Sequence, residues 1–311
     1  MNLLKRRERR KSVTLIAGLV CGNSLIFAAD SEQSGLMKSS VEKISHSEPL
    51  LGALGLMADP SQPTPVVVVA GAGNGVLADY ASQRIIDETG YLATKVAIEE
   101  KIREILEDIF RNHVPLHPRP QDAELELLIG VKPPDYFRPI LYSTEGITLV
   151  KRRSYHVCGS GTVVDYILDQ IYETSMTVED GISAALFMLQ VAKSYVDGVG
   201  GDSHITVLME DGRIDSKPSW EITEEENLAK QYTRITGKLL LAAFRNNKPD
   251  SDGEFDQALA EFSTQVMEIR QKKKKSDLVM QEYLEQVLDS MPEDSEEESE
   301  NPVNKPPSDG T

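Results

Sequence analysis

The chain has 311 residues, a formal net charge of −17, and 40% hydrophobic against 27% charged residues. That length can bury a large core, and the composition is that of an ordinary globular protein. The acidic balance argues against general binding to nucleic acid, whose phosphates need clustered positive charge. No run of 18 apolar residues free of charges and turn signals is present to span a membrane.

Only Cys21 and Cys158 occur, so no disulfide framework is implied and a reducing, cytoplasmic compartment fits. His113 and His117 are separated by Pro115 and followed by Pro118, which keeps them off a shared helical face and points to a loop rather than a metal site. Neither a metal nor a cofactor is expected.

At the amino end, residues 5–11 carry six basic groups against Glu8. The next stretch, KSVTLIAGLVCGNSLIFAADS (11–31), has two readings. A basic segment followed by apolar residues and small ones fits a secretory signal. Against that, Gly22-Asn23-Ser24 splits the apolar run into two strand-length pieces, and Gly-Asn is turn chemistry because both residues tolerate positive φ. A two-residue turn there pairs residues whose numbers sum to about 45. Thr14 is then placed opposite Ser31 and beside Asp30, which brings a hydroxyl and a carboxylate within side-chain reach.

Further along, PVVVVAGAGNGVLADYASQRIID (65–87) predicts a buried strand, a glycine turn and a helix. Gly71, Gly73 and Gly75 hint at a dinucleotide fingerprint, but Val76 stands where its last glycine belongs, and an amphipathic helix at 94–114 follows instead of a strand. Strands are predicted at 123–131, 139–143, 147–151 and 154–158, then a helix after CGSG (158–161). Residues 177–214 predict an apolar helix, a glycine turn and a strand ending in a turn at Asp211-Gly212. Helical periodicity returns at 223–245, 255–271 and about 276–290, with the Lys272–Lys275 run as a solvated helix face. From Pro292 onward, seven acids oppose Lys305 and prolines recur, the signature of a disordered tail. The order strands, helix pair, strands, helix pair, strand is no βαβ alternation. It suits an α+β chain built as two packed antiparallel sheets with helix pairs outside.

TLIAGLVCGNSLIFAAD resembles the amino-terminal signature of proteasome β-type subunits and their bacterial relatives among the N-terminal-nucleophile (Ntn) hydrolases. The resemblance covers roughly residues 13–245 and implies a four-layer αββα sandwich. It makes Thr14 the nucleophile, Asp30 the buried acid and Lys43 the neighbouring cation. It also makes Gly71 the oxyanion donor, with Gly55 as the competing candidate, Ser160 a hydroxyl beside the threonine amine, and Asp197 a supporting acid ahead of Gly200-Gly201. The chain departs from that pattern twice: Val13 stands where such propeptides usually end in glycine, and Val199 or Gly200 stands where a serine is expected.

Four segments are therefore expected: a basic extension or propeptide (1–13), the hydrolase domain (14–245), a helical extension (246–291) and an acidic tail (292–311). The expected activity is that of a threonine peptidase on peptides or unfolded proteins, self-associated in rings. Whether an ATP-dependent unfoldase serves it is not legible in the residues. The alternative, from another functional class, is an inert scaffold subunit that keeps the fold without the chemistry.

Overall fold

A two-residue turn fixes the first hairpin. β1 (Leu15–Cys21) and β2 (Ser24–Asp30) pair antiparallel from Cys21 with Ser24 to Ile16 with Ala29, the register predicted from Gly22-Asn23. Gly22 supplies the positive φ, 58°, that this turn requires. Almost every residue of both strands is buried. The stretch therefore forms the middle of a sheet, and the signal-peptide reading gives way, because removing it would dismantle the core.

The computed structural model describes residues 14–33, 39–40, 42–47, 64–119, 123–159, 162–245 and 252–290. A short ladder of β3 (Glu32–Gln33) and β4 (Ser39–Ser40) follows the hairpin. Next come β5 (Ile44–His46), β6 (Val66–Gly73), α1 (Gly75–Thr89) and α2 (Lys95–Asp108), whose last turn widens into a π-turn at Ile109–His113. Then come β7 (Leu125–Lys132), β8 (Ile140–Glu145), β9 (Thr148–Arg152), β10 (Tyr155–Gly159), α3 (Thr162–Ile171) and α4 (Val178–Tyr195). The order closes with β11 (Ser203–Leu208), β12 (Ile214–Ser216), α5 (Ser219–Arg245) and α6 (Asp252–Ser290). The strands assemble as two five-stranded antiparallel sheets, ordered β10-β1-β2-β11-β12 and β5-β6-β7-β8-β9.

Alternation along the strands sorts side chains into three apolar layers. Leu15, Ala17, Leu19, Ile26 and Ala28 face Leu168, Ala185 and Leu189 of α3 and α4. Val67, Val69, Leu127 and Ile129 face Ala81, Ile85, Ile102 and Ile105 of α1 and α2. Between the sheets lie Ile16, Leu25, Phe27, Val68, Ala70, Leu128 and Leu141. Both faces of each sheet are thus apolar, as expected for strands covered on both sides. This is the αββα sandwich that the element order predicts. Gly130 makes room in the middle layer, since a Cβ there would sit 2.7 Å from Phe27 Cζ.

The chain divides into two compact units, Met1–Thr233 and Arg234–Thr311. In the second, the end of α5 and the 39-residue α6 bury Ile235 and Ile269. The separate helices expected at 255–271 and 276–290 are one helix. Lysine is a good helix former, and no glycine or proline interrupts Lys272–Lys275.

Phe27 is fully buried between the sheets. Phe27→Ala is therefore expected to lower unfolding free energy by about 3–5 kcal/mol, read as a lower denaturation midpoint at an unchanged slope.

Candidate active site

Asp30 ends β2 with no exposed surface, and a bare carboxylate there would be untenable. It is satisfied from three directions. Leu15 N–H donates to Oδ1 (2.9 Å), Gly200 N–H donates to Oδ2 (3.1 Å), and Lys43 Nζ donates to Oδ1 (2.7 Å). Lys43 also donates to the Glu32 carbonyl (2.8 Å), and its side chain is 7% exposed. Burial depresses the Lys43 ammonium below the ordinary lysine range, while Asp30 and then Glu32 pull it back up. The hairpin register delivers Asp30 to the start of β1, where Thr14 is 5% exposed. Gly159 pairs with Leu15 and takes φ +86°, and a Cβ on it would collide with the Thr14 carbonyl.

Thr14 and Lys43 share a pocket with the end of β6 and the start of α1, enclosing about 440 Å³ of space partly open to solvent. Gly71, Gly73 and Gly75 all line it. The expected oxyanion donor needs correction here. Gly71 N–H donates to the Lys43 carbonyl (3.1 Å) in the β5–β6 ladder and is not available to a ligand. Gly55 lies outside the described residues. Donors without a partner lie further on, at the start of α1. Asn74 caps α1, its Oδ1 accepting from Leu77 N–H (3.1 Å) and its carbonyl from Ala78 N–H (2.9 Å). Gly75 N–H, at the first position of the helix, has no hydrogen-bond partner among the described residues, as is general for a first helical turn. Asn74 is itself pinned, its N–H to the Glu124 carbonyl (2.7 Å) and its amide 3.3 Å from His117 Nε2. The signal for this donor was present in the sequence: an asparagine before a glycine at a helix start marks a cap and exposed N–H groups.

The remaining expected residues are not drawn into the cluster. Ser160 lies outside the described residues. Asp197 is exposed on the turn after α4 and makes no hydrogen bond to Thr14, Asp30 or Lys43. Its loop reaches the site through the backbone instead. Gly200 N–H holds Asp30, Glu32 N–H donates to the Gly200 carbonyl (3.0 Å), and Asp202 N–H donates to Ser31 Oγ (2.8 Å). A Cβ at Gly200, one of the two positions where the serine is expected, would collide with Glu32 Oε2. Gly200 and Ser31, which the sequence marked only as a paired glycine and as the residue opposite Thr14, are positioning residues here.

Among the described residues no group of acids, histidines and cysteines is placed to hold a metal, and no helix is long and apolar enough to cross a membrane.

No family model and no curated protein matches the chain. Solved structures do. An Anbu (ancestral β-subunit) from Yersinia bercovieri superposes with a TM-score of 0.57 at 14% identity, covering 76% of this chain and 98% of its own. A Gly-1 mutant of Anbu from Hyphomicrobium sp. strain MC1 gives 0.54 at 14% identity, covering 72% and 96%. The Anbu complex from Pseudomonas aeruginosa, solved as a helical assembly, gives 0.54 at 16% identity, covering 73% and 95%. At such identities these structures establish the fold alone. They also correct the resemblance drawn from the amino-terminal motif: the structural neighbours are Anbu proteins, proteasome-like but a family distinct from the proteasome β-type subunits.

The buried pair has a consequence for stability that does not depend on activity. Asp30→Ala strands an ammonium with one carbonyl for company, and is expected to cost about 3–5 kcal/mol. Lys43→Met leaves Asp30 its two backbone donors and costs less, and adding it to Asp30→Ala recovers stability. Chemical unfolding of the three variants measures the difference.

Proposed function

We propose that this protein is a threonine-type peptidase that works by the N-terminal-nucleophile mechanism, with Thr14 as its first residue after removal of residues 1–13. The observation that carries the reading is one pocket lined by Thr14, by Lys43, whose ammonium pairs with the buried Asp30, and by Gly75, whose helix-start N–H has no partner among the described residues. Hydrolysis of the Val13–Thr14 bond frees an α-amine with an ordinary pKa near 8, close enough to neutrality to act as a base. A lysine ammonium in the same pocket lowers that value further and favours negative charge on the hydroxyl oxygen.

In the reaction the amine takes the Thr14 hydroxyl proton as Oγ1 attacks the peptide carbonyl carbon. The carbonyl oxygen becomes an oxyanion, stabilised by Gly75 N–H and the positive end of α1. The C–N bond then breaks, the leaving amine takes the proton, and an ester to Thr14 remains. Water attacks that ester by the same base, releases the acid and restores the hydroxyl. Asp30 keeps Lys43 charged and in place. Ser160 and Asp197 remain part of this proposal as a supporting hydroxyl and a supporting acid. The helical assembly solved for the Pseudomonas aeruginosa Anbu complex supports self-association of this chain as well.

A second reading, an uncleaved scaffold subunit without chemistry, is favoured by Val13 before the nucleophile and by Val199 or Gly200 in the serine's place. The amino-terminus separates the two. Intact-mass and amino-terminal peptide analysis of purified protein should find a chain beginning at Thr14, whereas Thr14→Ala should keep residues 1–13 and resist threonine-directed electrophiles. A wild-type chain that retains residues 1–13 and ignores those electrophiles establishes the scaffold.

The oxyanion assignment has its own test. Gly75→Pro deletes one N–H at the helix position where proline is best tolerated, after a residue already extended (Asn74 φ −75°, ψ 110°). The fold should persist while kcat falls by about 10²–10³-fold. An unchanged kcat moves the donor elsewhere.

A further inference from the structure

We infer that His117 is a positioning residue of this site: its imidazole, held in one tautomer, fixes Asn74 and through it the helix start that offers Gly75 N–H. This rests on the hydrolase reading above and gives a role to a residue that the sequence marked only as part of a loop.

The helix itself tells the two ends of the Asn74 side chain apart. Oδ1 accepts from Leu77 N–H (3.1 Å), as a cap must, which leaves Nδ2 facing His117 Nε2 at 3.3 Å. An amide NH2 group donates and does not accept, so Nε2 is the bare nitrogen of a neutral ring. The ring proton is then on Nδ1, which lies 2.8 Å from the Arg119 carbonyl, a group that can only accept. Arg119 N–H also approaches Nδ1, at the longer distance of 3.2 Å. Asn74 on one side and the Arg119 carbonyl on the other thus specify the same tautomer.

A stiff segment presents the ring. His117 N–H donates to the Val114 carbonyl (3.2 Å), closing a turn with Pro115 at its second position, where proline presets φ. Pro118 restricts the His117 backbone from the other side. Val114 N–H in turn donates to the Ile109 carbonyl (3.0 Å), which joins the turn to the end of α2. His113 takes another direction, its ring packing against Tyr80 at 4.9 Å between centroids.

Gly75 N–H lies in the Asn74–Gly75 peptide plane, so any rocking of Asn74 swings that donor. The backbone side of Asn74 is anchored on the segment before β7, where its N–H meets the Glu124 carbonyl (2.7 Å). Gly73, with φ +98°, packs so close to that carbonyl that a Cβ would sit 2.3 Å from it. His117 supplies the anchor on the side-chain end and ties the start of α1 to the end of α2. An oxyanion donor is effective when its direction is set before the reaction, which is what such a clamp provides.

The test uses full-length protein after maturation and the aminomethylcoumarin amide that it turns over fastest in a tripeptide set. His117→Ala is expected to lower kcat about 3–10-fold with KM little changed, the size of one lost hydrogen bond. His117→Gln, whose Oε1 can accept from Nδ2, should restore most of that loss. Asn74→Ser keeps a capping oxygen and removes the amide group, so adding His117→Ala to it should change kcat no further. Nitrogen-15 spectra of histidine-labelled protein, with the His117 signals assigned by their absence from His117→Gln, should show a neutral ring protonated at Nδ1. An unchanged kcat in His117→Ala, equal losses in the Ala and Gln variants, an effect that persists in Asn74→Ser, or a ring protonated at Nε2 overturns this inference and leaves the hydrolase reading standing. No turnover of any member of the set by the wild-type protein overturns both.

Discussion

A lysine–aspartate pair that the solvent barely reaches imposes the geometry of everything around it. Asp30 closes a strand of one sheet and Lys43 lies just before the edge strand of the other. Their contact therefore pins the two sheets at the end where the pocket opens. A buried ion pair is poor evidence for stability, because desolvation offsets most of the attraction. Its value here is positional: a carboxylate with no solvent must collect donors, and those available are Leu15 N–H, Gly200 N–H and the ammonium. Three segments distant in sequence are thereby brought to one point, and the residue ahead of Leu15 is Thr14.

The rest of the site is made from backbone. Gly159 packs against the Thr14 carbonyl, Gly200 donates to Asp30, and Gly73 turns the chain so that Asn74 can cap α1. Side chains would obstruct each of these approaches, which explains why glycine stands at all three. Gly200 shows the consequence most clearly. Any side chain there would meet the Glu32 carboxylate.

Local rules made much of this legible. A two-residue turn sets strand register by counting alone, so Gly22-Asn23 was enough to place Thr14 beside Asp30 before any tertiary information. The layered architecture followed from the order of periodicities, which alternate between two and 3.6 as each sheet is covered by helices. That Gly71 N–H is occupied did not follow, because it depends on the start of β5, whose pairing with β6 spans the long stretch between Lys43 and Val66. No counting rule fixes a register across such a stretch. Family assignment failed for a related reason. A hydroxyl and an acid 16 residues apart around a tight turn describe a fold's first hairpin, which does not by itself separate one proteasome-like family from another.

One helix meets two opposite electrostatic demands. At its first residue α1 offers an unpaired N–H and the positive end of its dipole, which suit a developing oxyanion. One turn later the same face carries a carboxylate, which would oppose an oxyanion if it stood any closer. Asp79 is exposed, so water screens its charge and the helix start keeps its preference for a negative group.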